Sequence, residues 1–81
     1  MLLDMHELSL MEDLVTTIVE RLGEARVVHV RLEVGKRAGV LPASLQFCFE
    51  VCTRGSTLEG AELEIIELAG PELRLKDVEV A

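Results

Sequence analysis

Residues 26–34 read RVVHVRLEV, and the alternation in this stretch decides the fold. Val28, Val30, Leu32 and Val34 fall on one side and Val27, His29, Arg31 and Glu33 on the other. That two-residue period marks a strand with one face buried and one face open to water. Toward the N-terminus the period changes. Leu8, Met11, Leu14, Val15, Ile18, Val19 and Leu22 recur at the three- and four-residue spacing of a single helix face, and Gly23 supplies a stop. Two capping patterns compete for the helix start, Asp4 with Glu7 and Ser9 with Glu12. The apolar stripe becomes regular from Met11, so the reading places the start near Ser9 and leaves Met5-His6-Glu7 as a pre-helical arm. A start at Asp4 would instead put His6 in the first turn.

Toward the C-terminus, Gly35-Lys36-Arg37-Ala38-Gly39 reads as a solvated turn, because its two cations between glycines match no phosphate-loop spacing. Pro42 suits the first position of a second helix. Leu45, Cys48, Phe49 and Cys52 line its buried side, Phe47 and Val51 broaden that side, and Gly55 ends it. Beyond a loop through Gly60, residues 61–68 and 72–80 are strand-like and are separated by the turn signal Ala69-Gly70-Pro71. Both strands change phase midway. Leu63 and Ile65 share one face and Ile66 and Leu68 the other, while Leu73 and Leu75 give way to Val78 and Val80. Matching slips predict a bulge or strong twist, with the two ends of the ribbon packed against different things and a homodimer contact covering the outer end.

The order is therefore helix, strand, helix, strand, strand. A strand-helix-strand unit predicts parallel strands joined by a right-handed crossover, and the short turn predicts an antiparallel pair after it. The expected class is α+β, two helices packed on a small three-stranded mixed sheet, with residues 1–81 forming a single domain. The core must be aliphatic, since there is no Trp or Tyr and Phe47 and Phe49 are the only aromatic residues.

A net charge of -7 argues against nucleic acid, which selects clustered Lys and Arg. Cys48 and Cys52 stand four apart among apolar neighbours, which fits buried thiols in a reducing, cytoplasmic setting better than a disulfide framework. Without a second cysteine pair, no zinc site of the CxxC type can be built. No apolar run approaches the roughly 20 residues that span a bilayer. No nucleophile stands ready beside a base, so no enzyme is expected; Glu62 and Glu64 read as a solvated acidic row and His29 as a solvated strand residue.

Met5-His6-Glu7 is left with two readings. It is the polar lip of a helix, or it binds a metal. An imidazole, a carboxylate and deprotonated backbone amides near a chain end can surround an ion in the square plane that Ni(II) and Cu(II) accept. Imidazole binds only in its neutral form, so such a site weakens in acid.

MHELSL followed by an aliphatic helix, then ARVVHVRLEVG, LPASLQFCFEVCTRGSTLEGAELEIIEL and the ending ELRLKDVEV, resembles the hydrogenase nickel-incorporation (HypA/HybF) metallochaperones in the same order over nearly the whole chain. The resemblance implies delivery of Ni(II) to the [NiFe]-hydrogenase large subunit, in some organisms also to urease, together with a partner maturation GTPase. It places the nickel site on Met5, His6 and Glu7, and it implies no catalysis. Two departures stand out. The family carries a zinc domain with two CxxC pairs between its last two strands, whereas Leu68-Ala69-Gly70-Pro71 spans that place directly here. Either an insert has been excised and its ends rejoined, the reading the clean junction favours, or the chain is a natural minimal relative; in both cases no zinc is expected in this form. Second, Met1-Leu2-Leu3-Asp4 precedes the motif, so the Met5 nitrogen is an amide where the family offers a free amine. The donors left are the His6 imidazole, the amides of His6 and Glu7, and the Glu7 carboxylate; translation from Met5 would restore the family arrangement. The alternative is a non-catalytic interaction or dimerisation module that has lost its metal, with Val78 and Val80 or Ile66 and Leu68 as its apolar seam.

Overall fold

A computed structural model describes residues 5–81. The elements are α1 (Met5–Leu22), β1 (Val27–Gly35), α2 (Pro42–Thr53), β2 (Glu62–Leu68) and β3 (Leu73–Val80). The α+β class, the element order and the mixed three-stranded sheet agree with the sequence reading.

The start of α1 does not. The helix runs from Met5, not from near Ser9. The reason lies in its buried stripe, Glu7, Met11, Val15 and Ile18, which keeps helical spacing but opens on a carboxylate. A hydrophobicity pattern discounts that first position, so the stripe looks one turn shorter than it is. The competing cap, Asp4, lies outside the described residues. The far end behaves as expected: Gly23 adopts φ +60°, and its N–H donates to the Val19 carbonyl at 2.9 Å.

In β1 the side chains of Val30, Leu32 and Val34 are buried as the alternation requires. At its beginning the phase is reversed, with Val27 1% exposed and Val28 41% exposed. The pairing explains this. Val27 faces Val80 while His29 faces Glu79, so Val28 is an extra residue and every position before it changes side. A second irregularity comes between the pairs Arg31–Asp77 and Leu32–Leu75, where Lys76 is the extra residue on β3. Leu73, Leu75, Val78 and Val80 consequently all pair with inward-facing residues of β1, and the two ends of this strand do not pack on different faces as expected. Strand β2 has no such slip: it runs parallel to β1 in unbroken register, which leaves Ile66 opposite Glu33 on the outer face.

The second correction is topological. The strand order is β2-β1-β3, so β2 and β3 are not neighbours and Ala69-Gly70-Pro71 is not a hairpin turn. The link instead crosses the end of β1. Gly35 N–H donates to the Glu72 carbonyl at 2.6 Å, Lys36 N–H to Leu68 at 2.8 Å and Arg37 N–H to Gly70 at 3.1 Å. A Cβ on Gly35 would collide with the Gly70 carbonyl, so the crossing requires glycine there. Centring β1 gives it ladder partners on both sides.

Both helices join the inner face of the sheet in one core, in which Met11, Val15 and Ile18 meet Leu45, Cys48 and Phe49 over Val30, Leu32 and Leu63. Phe47, expected to broaden the buried side of α2, is exposed, and Cys52 is only half-buried. Thr53 takes a buried place on that side, its hydroxyl donating to the Phe49 carbonyl at 2.7 Å. Leu58, in the connection before β2, is fully buried although its surroundings read as loop.

Candidate metal centre

Met5, His6 and Glu7 form the first turn of α1, so the structure brings all three into one turn of backbone. The Met5 side chain lies outside what the structure describes. His6 is exposed. Glu7 is 1% exposed and is the only carboxylate in the core among the described residues.

The partner of Glu7 comes from the other helix. Oε2 accepts a hydrogen bond from the N–H of Leu41, the residue that caps α2. Leu41 has an extended backbone, its side chain makes no capping bond, Pro42 follows at the first helical position, and the first turn of α2 holds no acidic residue. Glu7 thus does for α2 what the glutamate of a capping box does within its own helix, accepting from the cap residue's N–H. It also lies in the first turn of α1, so the positive ends of two helix dipoles offset part of the cost of burying it. Oε1 is buried and has no hydrogen-bond partner among the described residues. A carboxylate oxygen in that state is matched to a cation or a polar ligand brought in from outside.

The other histidine is built differently. His29 lies on the outer sheet face, where its Nε2 is 2.9 Å from Glu64 Oε1 and its Nδ1 is 3.9 Å from Glu62 Oε2. Beside it Arg31 reaches Asp77 at 2.8 Å, Glu64 at 3.5 Å and Glu79 at 3.9 Å, and Arg74 reaches Glu33 at 2.7 Å. Asp77 above all holds the Arg31 guanidinium above its ordinary pKa, and Glu33 does the same for Arg74. The acidic row that reads as simply solvated is therefore cross-linked over three strands.

The two thiols, Cys48 and Cys52, form no disulfide with each other. Burial, then Glu12 and Cys48, push the Cys52 thiol upward, away from a ready thiolate. An open apolar groove of about 260 Å³ lies between α1 and β3, lined by Leu10, Leu14, Leu73 and Leu75, but it does not include His6 or Glu7. No group of three or more His, Cys, Asp or Glu side chains able to hold a metal is assembled among the described residues. No helix among them is long and apolar enough to cross a membrane.

A family model described as hydrogenase/urease nickel incorporation, metallochaperone, hypA matches residues 5–71. The chain belongs to the HypA family. The matched segment opens on Met5 and ends at the link between β2 and β3. Among curated relatives, the hydrogenase maturation factor HypA of Nostoc punctiforme is 42% identical over 66 residues, 82% of this chain and 58% of that protein. HypA of Geobacter metallireducens is 44% identical over 66 residues and 60% of its length, and that of Rhodobacter capsulatus 49% over 69 residues and 61% of its length. The chain thus spans 58 to 61% of the length of these HypA relatives. A solution structure of the Ni metallochaperone HypA from Helicobacter pylori shares the fold, with a TM-score of 0.76 at 16% identity, covering 91% of this chain and 96% of that one.

Sequence reasoning named Met5, His6 and Glu7 but missed Leu41, whose contribution is a backbone N–H. One signal was available. A helix that opens on Leu-Pro without a capping side chain needs an acceptor from elsewhere.

Proposed function

We propose that this chain is a nickel metallochaperone of the HypA type, or its nickel-binding core, carrying Ni(II) for [NiFe]-hydrogenase maturation and, in some settings, for urease. Ni(II) is cargo, held at Met5-His6-Glu7 by the His6 imidazole, the amides of His6 and Glu7, and the Glu7 carboxylate. The observation that carries the reading is the placement of this motif in the first turn of α1, at the opening of the segment that matches the family. A nitrogen-rich donor set suits Ni(II). The partner maturation GTPase and the hydrogenase large subunit belong to this proposal as the family's partners, and two cysteines that form no disulfide with each other fit a cytoplasmic location.

The family's zinc domain is absent in this reading, excised near residues 68–71, so the form binds no zinc. The end of the family match at Pro71, inside the link between β2 and β3, supports it. Strand β3 lies beyond that match yet completes the sheet beside β1. A second reading, a dimerisation module, is favoured by exposed Val28 and Val80 at one end of the sheet. Calorimetric titration with Ni(II) tests the first reading. The chain binds one equivalent and His6→Ala does not; equal binding by both would remove the site. Sedimentation over a range of concentrations tests the second, which a strict monomer contradicts.

A further inference from the structure

The carboxylate of Glu7 touches two places at once. Through Oε2 it holds the N–H of Leu41 at the start of α2, and through Oε1 it keeps a buried acceptor that meets no hydrogen-bond partner among the described residues, within two residues of Met5. Between Gly35 and Leu41 the chain has no helix or strand of its own, so this bond is the tie between the first turn of α1 and the entry to α2. The Leu41 side chain is 66% exposed and adds little packing to that tie.

We propose that Glu7 couples nickel loading at the first turn of α1 to the order of the segment entering α2, serving as a positioning residue for both. The inference rests on the nickel reading above. Two effects give it its sign. A cation drawn to Oε1 supplies the partner that this oxygen lacks, and it fixes the carboxylate in the orientation in which Oε2 receives Leu41 N–H. Conversely, the Leu41 bond holds the carboxylate still before the cation arrives, so less freedom is lost on binding. Linkage makes the effect reciprocal: nickel strengthens the Leu41 tie by the same factor by which the tie strengthens nickel binding. Lys36, Arg37 and the exposed Leu41 lie on or beside the tied segment, so loading also stiffens a basic and apolar stretch of an otherwise acidic chain.

The test uses the 81-residue chain, with Ni(II) alone as the probe. Amide exchange at Leu41 is followed by NMR with and without one equivalent of metal, and nickel affinity is measured for Leu41→Pro and His6→Ala. Leu41→Pro deletes the donor while leaving Glu7 and His6 in the sequence, and the extended Leu41 backbone, at φ -98°, needs to turn by roughly 30° to accept the ring. Nickel is expected to slow Leu41 exchange by about fivefold or more, and Leu41→Pro to weaken nickel binding by a similar factor, the low end of common couplings. If His6→Ala binds as tightly as the parent, the nickel reading falls and the coupling with it. If His6→Ala loses nickel while Leu41→Pro binds normally, only the coupling is overturned. Should Leu41→Pro fail to fold, the exchange measurement on the parent chain decides alone, and a Leu41 amide indifferent to nickel refutes the proposal.

Discussion

The two histidines sit beside glutamates in opposite circumstances. His29 stands between Glu62 and Glu64 on the open face of the sheet, beside an arginine shared among three carboxylates. His6 stands in a first turn next to Glu7, whose carboxylate is buried, holds one backbone N–H, and has an oxygen to spare. The contrast shows how burial changes the value of the same chemistry. Exposed ion pairs compete with water and salt and contribute little each, so the outer face can be rearranged at small cost. A carboxylate in the core competes with nothing, and every unmet oxygen counts. The pair with a buried carboxylate oxygen unmet among the described residues is the one suited to a ligand.

Three substitutions and one alkylation measurement probe that contrast, beginning with the largest effect. Gly35→Ala attacks the frame that carries both regions, because its methyl group meets the Gly70 carbonyl where the chain crosses β1. Overpacking against backbone should cost about 3 kcal/mol. Urea titration would show it, and an unchanged midpoint would mean the crossing is looser than described. Glu7→Ala comes next. It leaves Leu41 N–H without its acceptor, which should lower stability by about 1–2 kcal/mol, and it should also weaken nickel binding. A stable variant with parental nickel affinity would place Glu7 among the ordinary surface acids.

Cys52 offers a kinetic check on the packing between the helices. Because burial, Glu12 and Cys48 keep its thiol above the ordinary value, less thiolate forms at a given pH. Alkylation at pH 8 should run slower than for a free thiol and catch up only at higher pH. A rate matching the free thiol would contradict this. The smallest effect is expected on the outer face. Arg31→Ala removes the hub of its network, yet its unfolding midpoint in high salt should match the parent's, with a slight loss only at low salt. A large, salt-independent loss would erase the distinction between the two regions.

The legible parts of the sequence were those where side-chain pattern alone carries the information. Val30, Leu32 and Val34 alternate plainly, and Gly23 and Pro42 mark helix ends in their usual places. The bulge at Val28 was hidden because valines lie on both sides of it, so a one-residue slip exchanges one apolar residue for another. The crossing over Gly35 was hidden because a three-residue turn signal fits a hairpin as well as a link across a strand end. At the candidate site, the chemistry of His6 and Glu7 was readable from residue type, but their setting was not. The acceptor's partner is a backbone group 34 residues away, and no side-chain pattern reports a backbone donor.

The most direct test follows the amide and imidazole signals of both regions by NMR during Ni(II) titration, since square-planar nickel leaves neighbouring signals sharp enough to assign. The account predicts that His6 and the amides of His6 and Glu7 change at one equivalent, with those amide protons lost, while His29, Glu62 and Glu64 remain where they were. Changes confined to His29 and its glutamates, with His6 unmoved, would contradict it.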